Sequence, residues 1–529
     1  MHTYPLLSRQ TLLRLLRERF DSPFLGLGDL PDPSTFKDMD RAVERIVRAI
    51  RKREKIVLIG DYDVDGVVAT SVMRLFFDEI GVPLEWIIPN RFRDGYGLSP
   101  TLLERIDSAD LILTVDNGIS AIEAAGICRK RGIDLIITDH HIVPETPPDA
   151  YAIVDQKQPE CTFPHEEVCG AQIAWYLCAA LRRKLEVKID MRGYLEYVAL
   201  AVIADIMPLQ HINRAMVESG LRQLVRSERP YVRAYREATG KESFSAEEIA
   251  FGLAPILNSA GRMEDASIAC DYLCASNIYE ARSFLTTLQG FNERRKSMER
   301  EITEEAMASV EGDPSVIVAA GEDWHEGVLG IVAARLARHY RRPALVLTAT
   351  ENGYKGSGRS FGDCDLFALV DGAREYLDKF GGHKAAVGLS LSSEMLEPLR
   401  QALEVSGEKC RRSEYRDPDL LGILPLEEID WDLYRAMEAF EPFGHGNPRP
   451  KFIVRDARIE SFRKLGAEGE HLKFLFDTGQ GTMEGIAFRT QGKYRPGESI
   501  DLICTLGENR FNGRSTLQLL IEEILPKES

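Results

Sequence analysis

Three short apolar segments of this chain each end on acid. KIVLIG runs into Asp61-Tyr62-Asp63-Val64-Asp65-Gly66, LILTV into Asp116-Asn117-Gly118, and LIIT into Asp139-His140-His141. In an open parallel sheet, ligand sites gather beyond the carboxyl ends of the strands, so residues distant in sequence converge there. Carboxylates and imidazoles crowded at one edge repel one another unless a cation neutralises them. The pattern predicts a hard-metal catalytic site in the first third of the chain. Asp205, which closes the apolar run YVALAVIAD, is a candidate for a further carboxylate.

Each signal is ordinary alone. DxDxDG also suits a calcium loop, but that frame wants a bidentate Glu about six residues past the glycine. Here the stretch reads VVATSVM, without an acid. Asp-Asn-Gly is a common turn, and neighbouring histidines are commonly satisfied loop residues. At a strand end, one of two adjacent histidines can ligate metal while the other meets substrate. Carboxylates with imidazole and no thiolate suit Mn²⁺ or Mg²⁺ better than structural zinc. The supply is large enough for two ions bridged by one Asp, about 3.5–4 Å apart, which would activate a water and clamp a phosphoryl oxygen. Phosphoester or phosphoanhydride hydrolysis is the implied reaction.

Such a site needs a phosphate-binding surface. Ser357-Gly358-Arg359-Ser360 puts a hydroxyl and a guanidinium two residues apart, on one face if extended, and Arg can grip phosphate bidentately. Gly381-Gly382-His383-Lys384-Ala385-Ala386-Val387-Gly388 follows a helical stretch. It reads either as amides approaching phosphate or as a helix C-cap with a surface His.

The elements that must position these residues read as βαβ units. Strands near 56–59, 84–88, 111–115 and 135–138 alternate with helical patterns such as Val67 to Ile80 and Ala121 to Lys130, which implies a parallel sheet. From about Gly170 to Glu311 the chain reads mostly helical, with Asn277 to Val310 long enough to link two domains. A second α/β unit follows: strands at Val316 to Ala320 and Ala344 to Thr348, helices at Val328 to Tyr340 and Leu366 to Phe380, the last ended by Gly381-Gly382. Residues 450–526 alternate short strands with turns at Gly466 to Gly469, Gly479 to Gly481, Gly492 and Asn512-Gly513. That reads as a small β-barrel of the OB type, a fold that often binds single strands. The division expected is a 1–50 helical segment, a 51–276 catalytic domain, a 277–312 linking helix, a 313–415 substrate-binding domain, a 416–448 connector and a 449–529 barrel.

Composition bounds the class. A chain of 529 residues with 44% hydrophobic and 28% charged residues reads as a soluble protein of roughly two to four domains. The apolar run from Tyr197 to Leu209 is too short to span a bilayer, and MHTYPLLSRQ lacks the pattern of a secretory leader, so a cytoplasmic location is expected. Nine scattered cysteines without a CxxC pair read as free thiols rather than a disulfide frame or zinc site. A net charge of −17 argues against non-specific adhesion to nucleic acid but permits one local basic channel. Of the basic segments, Arg41 to Lys55 and Arg294-Arg295-Lys296 read as solvated helix faces, whereas Arg91 and Arg93 sit beside the proposed site.

The set GDYDVDG (60–66), TVDNG (114–118), TDHH (138–141) and IADIMPL (203–209) resembles the four motifs of the DHH phosphoesterase superfamily. GSGRS (356–360) and GGHKAAVG (381–388) resemble its companion DHHA1 domain. NRFRDGYGLS (90–99), LAPILNSAGRM (253–263), DWHEGVLGIVAARL (323–336) and EPFGHGNPRPKF (441–452) are similar to segments of the bacterial members that degrade single-stranded DNA 5′→3′. Ile59 stands where some superfamily members place a His, and Ser259 where an Ala is usual.

The resemblance implies two α/β domains joined by a long helix around a groove too narrow for duplex, followed by an OB-fold. It implies that Asp63, Asp65, Asp116, His140 and Asp205 hold two Mn²⁺ or Mg²⁺ ions, Asp116 bridging, with Asp61 a ligand or near neighbour. His141 would face the scissile phosphate and Asp139 would orient the histidines. Arg91, Tyr96, Asn258, Arg262, Ser357, Arg359, Gly382 and His383 would bind substrate. Single-stranded DNA is the implied partner, with a helicase and a single-strand-binding protein beside it, and a closed groove is expected to work as a monomer. Two other functions share these motifs. A hydrolase of short oligonucleotides or cyclic dinucleotides would need neither barrel nor linking helix, and a non-catalytic replication scaffold would not need the full ligand set.

Overall fold

The computed structural model describes the chain except residues 1–3, 21–23, 412–416, 467–468, 480, 489, 491, 493, 512 and 526–529, and the side chains of Arg411, Arg510 and Phe511. Asn512, and residues inside two other expected turns, therefore lie outside the described residues.

The first sheet is wholly parallel. Strands β1 (Ile56–Ile59), β2 (Glu85–Ile87), β3 (Leu111–Val115), β4 (Asp134–Thr138) and β5 (Ala152–Val154) lie in the order β2-β1-β3-β4-β5. Every residue of β1 and β3 is buried, as helices on both faces require. Strand β5 was not expected. Helix Val64–Glu79 starts three residues earlier than its apolar pattern, because Asp63 caps it by accepting the Gly66 amide at 3.1 Å. A Cβ on Gly66 would lie 2.6 Å from the backbone of Asp61, so close packing inside the first helical turn, rather than a tight turn, is what requires glycine there.

Helix Ile278–Ala308, 31 residues long, carries the chain to the second sheet. Strands β6 (Ile317–Gly321), β7 (Ala344–Thr350), β8 (Gly353–Arg359), β9 (Lys379–His383) and β10 (Ala386–Leu391) are ordered β6-β7-β8-β10-β9, with only β6 and β7 parallel. The expected helix from Leu366 to Phe380 is corrected here. It stops at Asp371, and residues 379–383 form an edge strand whose hairpin partner is β10. Phe-Gly-Gly-His carries no alternating apolar signal, and glycine in an edge strand marks close backbone approach rather than a helix cap. The all-thiol expectation is corrected too: Cys364 and Cys410, in this second unit, form a disulfide. They are 46 residues apart, and only the folded unit brings the loop before helix Leu366–Asp371 against helix Leu396–Arg411.

Strands β11 (Leu420–Ile423), β12 (Lys451–Leu465), β13 (His471–Asp477), β14 (Thr482–Ala487), β15 (Ser499–Phe511) and β16 (Arg514–Leu525) form the third sheet, which β12–β15 pairing closes into a five-stranded barrel with β11 added at the edge. The first fifty residues are divided between two cores. Leu7, Leu12 and Leu16 pack with Leu424, Leu433, Met437 and the barrel, while Phe36 to Ala49 pack against the first sheet. Among the described residues, no helix is long and apolar enough to cross a membrane.

Candidate metal centre and substrate face

Three strand ends of the first sheet deliver the acids to one place. Asp116 leaves β3 with φ 63°, a left-handed backbone that its own amide fixes by donating to the Thr138 carbonyl at 3.0 Å. A Cβ on Gly170 would stand 2.5 Å from the Asp116 Cβ, so only glycine fits beside it. The same segment opens helix Gly170–Leu185, whose Gly170 and Ala171 amides donate to the two oxygens of Asp65 at 2.5 and 2.8 Å. Asp139 accepts from the Ile119 amide, the His140 and His141 amides and His141 Nδ1 at 2.9, 2.8, 3.2 and 2.6 Å.

The ligand atoms that result converge in three overlapping groups, Asp61 with Asp63 and Asp116, Asp65 with His140 and Asp205, and Asp116 with both histidines, each within 4.8 Å. His140 Nε2 lies 3.2 Å from Asp116, 3.7 Å from Asp65 and 3.8 Å from Asp205. One oxygen each of Asp61, Asp116 and Asp205 is buried without a hydrogen-bond partner. Burial, and after it the charge of neighbouring aspartates, pushes Asp61, Asp63 and Asp116 above the usual carboxylate range and Asp205 up to about 8. Burial also holds His140 below its ordinary value, neutral and able to ligate. Orphaned carboxylate oxygens around a neutral imidazole are the donor set of a hard divalent cation, and the residues fit one.

Asp139 differs from its neighbours. Burial raises it, but the His141 hydrogen bond and charge outweigh burial and hold it low. His141 answers in kind: burial lowers it, yet Asp139 carries it up to about 9, and its Nε2 faces the Tyr96 hydroxyl at 3.5 Å. Both residues line a cavity of about 1020 Å³ between the strand ends and the β9–β10 hairpin, with Tyr62, Gly381, Gly382 and Gly388. Arg91 lies 4.7 Å over the Tyr62 ring. Arg359 Nη1 reaches Ser357 Oγ at 3.4 Å on β8, as extended spacing predicts, and a Cβ on Gly330 would crowd its guanidinium at 2.8 Å. Arg262 is pulled down to about 10 by burial and then by the charges of Arg91, Arg295 and Arg359. Asn258 lines a second cavity with Arg262 and Arg295. His383 does not join the set: exposed at the hairpin tip, its Nδ1 accepts the Ala385 amide of its own turn.

Several residues of the site carry no signal that singles them out in sequence. Tyr62 was given no role from the sequence. Arg295 read as a solvated face, yet its guanidinium is pinned by Glu299 at 2.6 Å and Asn292 at 3.1 Å and turned inward. Asn117 read as a turn residue, but it is fully buried, accepts the Leu98 amide and donates to the carbonyls of Ile59 and Val115. It thereby ties the loop carrying Arg91 and Tyr96 to the metal-bearing strand ends. A buried Asn at a strand end is the signal that could have found it.

A parallel sheet with carboxylates and imidazole at its carboxyl edge, faced by cations from a second α/β unit, defines a metal-dependent phosphoesterase of the DHH class. Family models agree in chain order: the N-terminal domain of the DHH family matches residues 55–202, the DHHA1 domain 313–406 and the RecJ OB domain 422–523. The single-stranded-DNA-specific exonuclease RecJ of Salmonella typhimurium is 33% identical over 92% of this chain and 90% of its own length. The RecJ of Bacillus subtilis is 34% identical over 94% of this chain, which spans 64% of that longer relative. The crystal structure of RecJ in complex with Mn²⁺ from Thermus thermophilus superimposes with a TM-score of 0.83 at 26% identity, covering 100% of this chain and 80% of that one, and a Mg²⁺ complex of the same protein matches as well. The chain belongs to the RecJ family of single-stranded-DNA-specific exonucleases.

Proposed function

We propose that this protein is a Mn²⁺- or Mg²⁺-dependent exonuclease that hydrolyses single-stranded DNA from its 5′ end to 5′-mononucleotides, in the cytoplasm, as a monomer serving recombination and repair. The observation that carries the reading is the sharing of Asp116 between two ligand groups, with one oxygen each of Asp61 and Asp116 buried without a hydrogen-bond partner. Asp61, Asp63, Asp65, Asp116, His140 and Asp205 would hold two ions, which supply charge neutralisation and an activated water when bound. His141, kept protonated by Asp139, donates a hydrogen bond to the scissile phosphate and stabilises the charge that grows on it. Tyr62 and Tyr96 offer their rings to the terminal base. Arg91, Ser357 and Arg359, with the Gly381–Gly382 amides that line the cavity, hold the terminal phosphate, and attack from the 5′ end follows the family resemblance. A helicase and a single-strand-binding protein are the partners such an activity would meet. For residues 51–529 we keep the division 51–276, 277–312, 313–415, 416–448 and 449–529, and the expected 1–50 segment is shared between the first sheet and the barrel core.

The test is a single strand labelled at either end, its duplex counterpart, cyclic dinucleotides and short RNA, each incubated with Mn²⁺ and with Asp116→Ala as control. Release of the 5′ label as mononucleotide from the single strand alone, absent in the variant, is the expected result. Loss of the 3′ label first would overturn the polarity, and turnover of only the small substrates would overturn the exonuclease reading.

A further inference from the structure

A second cavity, of about 450 Å³, opens on the other flank of the acid cluster and shares no lining residue with the first. Its walls come from the segment on either side of Asp205, from the end of the connector through Phe443 and His445, and from the linking helix through Arg295. The connector is docked there by backbone: the Leu209 amide donates to the His445 carbonyl at 2.7 Å, and Gln210 Nε2 to the Gly446 carbonyl at 2.8 Å. The cleft is therefore a built feature of the closed molecule.

Two large apolar residues at its rim are exposed. Ile206 is 66% exposed at φ 57°, a backbone region that β-branched residues avoid, directly after a carboxylate of the metal site. Phe251 is 85% exposed and, among the described residues, joins none of the hydrophobic clusters. It projects from a single π turn, Ile249–Leu253, whose flanks Ile249 and Leu253 are buried and whose Gly252 would clash with the Tyr235 hydroxyl if it carried a Cβ. An exposed ring held on a rigid turn over an apolar cleft is a platform for stacking. The deep wall carries Asn258, Arg262 and Arg295. Glu299 is shared by Arg295 and Arg335, at 2.6 and 2.5 Å, which leaves net positive charge on that wall, while Glu247 at the mouth shares Arg449 with Glu438 and Glu441, each at 3.0 Å.

We propose that this cleft is a second nucleotide subsite, in which a base on the 3′ side of the scissile phosphate stacks on Phe251 and its phosphate meets Arg295 and Asn258. The identity of the ligand rests on the exonuclease reading above; the geometry of the subsite does not. With the terminal nucleotide in the first cavity and the metal centre between the two, the strand is gripped by a base on each side of the bond that breaks. Phe251 then sets substrate affinity and register rather than chemistry.

The test uses the full chain and a 5′-phosphorylated single strand, intact or with one abasic position at nucleotide two, three or four. Binding is read with chelator present and hydrolysis with Mn²⁺. Phe251→Ala, an exposed truncation that leaves the melting temperature in place, is expected to weaken binding and raise KM roughly five- to 150-fold. Phe251→Trp restores both. One of the abasic strands should abolish the difference between wild type and Phe251→Ala. Equal binding by wild type and Phe251→Ala, or a deficit that persists on every abasic strand, would overturn the subsite. A wild type that binds the strand through Phe251 but does not cut it would overturn the exonuclease reading and leave the subsite standing.

Discussion

The two faces of the active cavity are built by opposite means. On the first sheet, each acid is placed by main chain: Asp116 by a left-handed turn, Asp65 by two helix-terminal amides, Asp139 by the Ile119 amide. On the second sheet the groups that would meet phosphate are a half-buried guanidinium and hydroxyl on β8 and an exposed glycine hairpin. The acid face brings like charges together before any cation arrives, which only a stiff, dense frame can sustain. The cationic face makes the opposite demand, since a phosphate must enter and a nucleotide must leave. Dense packing is thus placed where charges repel, and exposure is left where substrate exchanges.

That contrast can be broken by four substitutions. Asp116→Ala removes the shared ligand and should lower kcat by more than the roughly 10–100-fold typical of a group outside the metal's own ligands, with one Mn²⁺ site or both lost in calorimetry. Substantial turnover by this variant would sink the two-ion assignment. Gly170→Ala pushes a methyl into Asp116 and should cost about a hundredfold in kcat, the scale of a misplacement near 1 Å, although glycine-to-alanine inside a helix is ordinarily stabilising. A fully active Gly170→Ala would mean that the acid face yields. Arg359→Ala should raise KM roughly ten- to hundredfold with Mn²⁺ affinity intact, as loss of a charged hydrogen bond predicts. Should metal affinity fall as well, the two faces are not independent. Ser357→Ala, which gives up one neutral hydrogen bond, should raise KM about two- to tenfold, and an effect as large as that of Arg359→Ala would mean that the hydroxyl positions the guanidinium.

The acid face was legible in sequence because a buried parallel strand is a continuous apolar run, and its end is wherever the run stops. β1, β3 and β4 and the motifs behind them all follow from that one cue. The cationic face was legible only in part. Ser357 and Arg359 fit the two-residue period of a strand, whereas 379–383 did not read as a strand, because two glycines and an exposed His give the period nothing to act on. His383 was drawn into the site by its glycine neighbours and lies outside the cavity lining for the same reason: the hairpin points its backbone, not that side chain, at the space. The contacts that lock the acid face, Gly170 on Asp116 and its amide on Asp65, join residues more than fifty and a hundred positions apart, as does the packing of Leu12 against the barrel. No local pattern encodes them.

The division of the first fifty residues has a consequence for how the chain is made. Leu7, Leu12 and Leu16 leave the ribosome before either α/β unit, yet their partners Leu424, Leu433, Met437 and the barrel strands leave it after both. While the catalytic domain folds behind it, an apolar helix face waits in solvent, and only the barrel releases it from that exposure. The N-terminal segment therefore depends for its burial on partners made more than four hundred residues later.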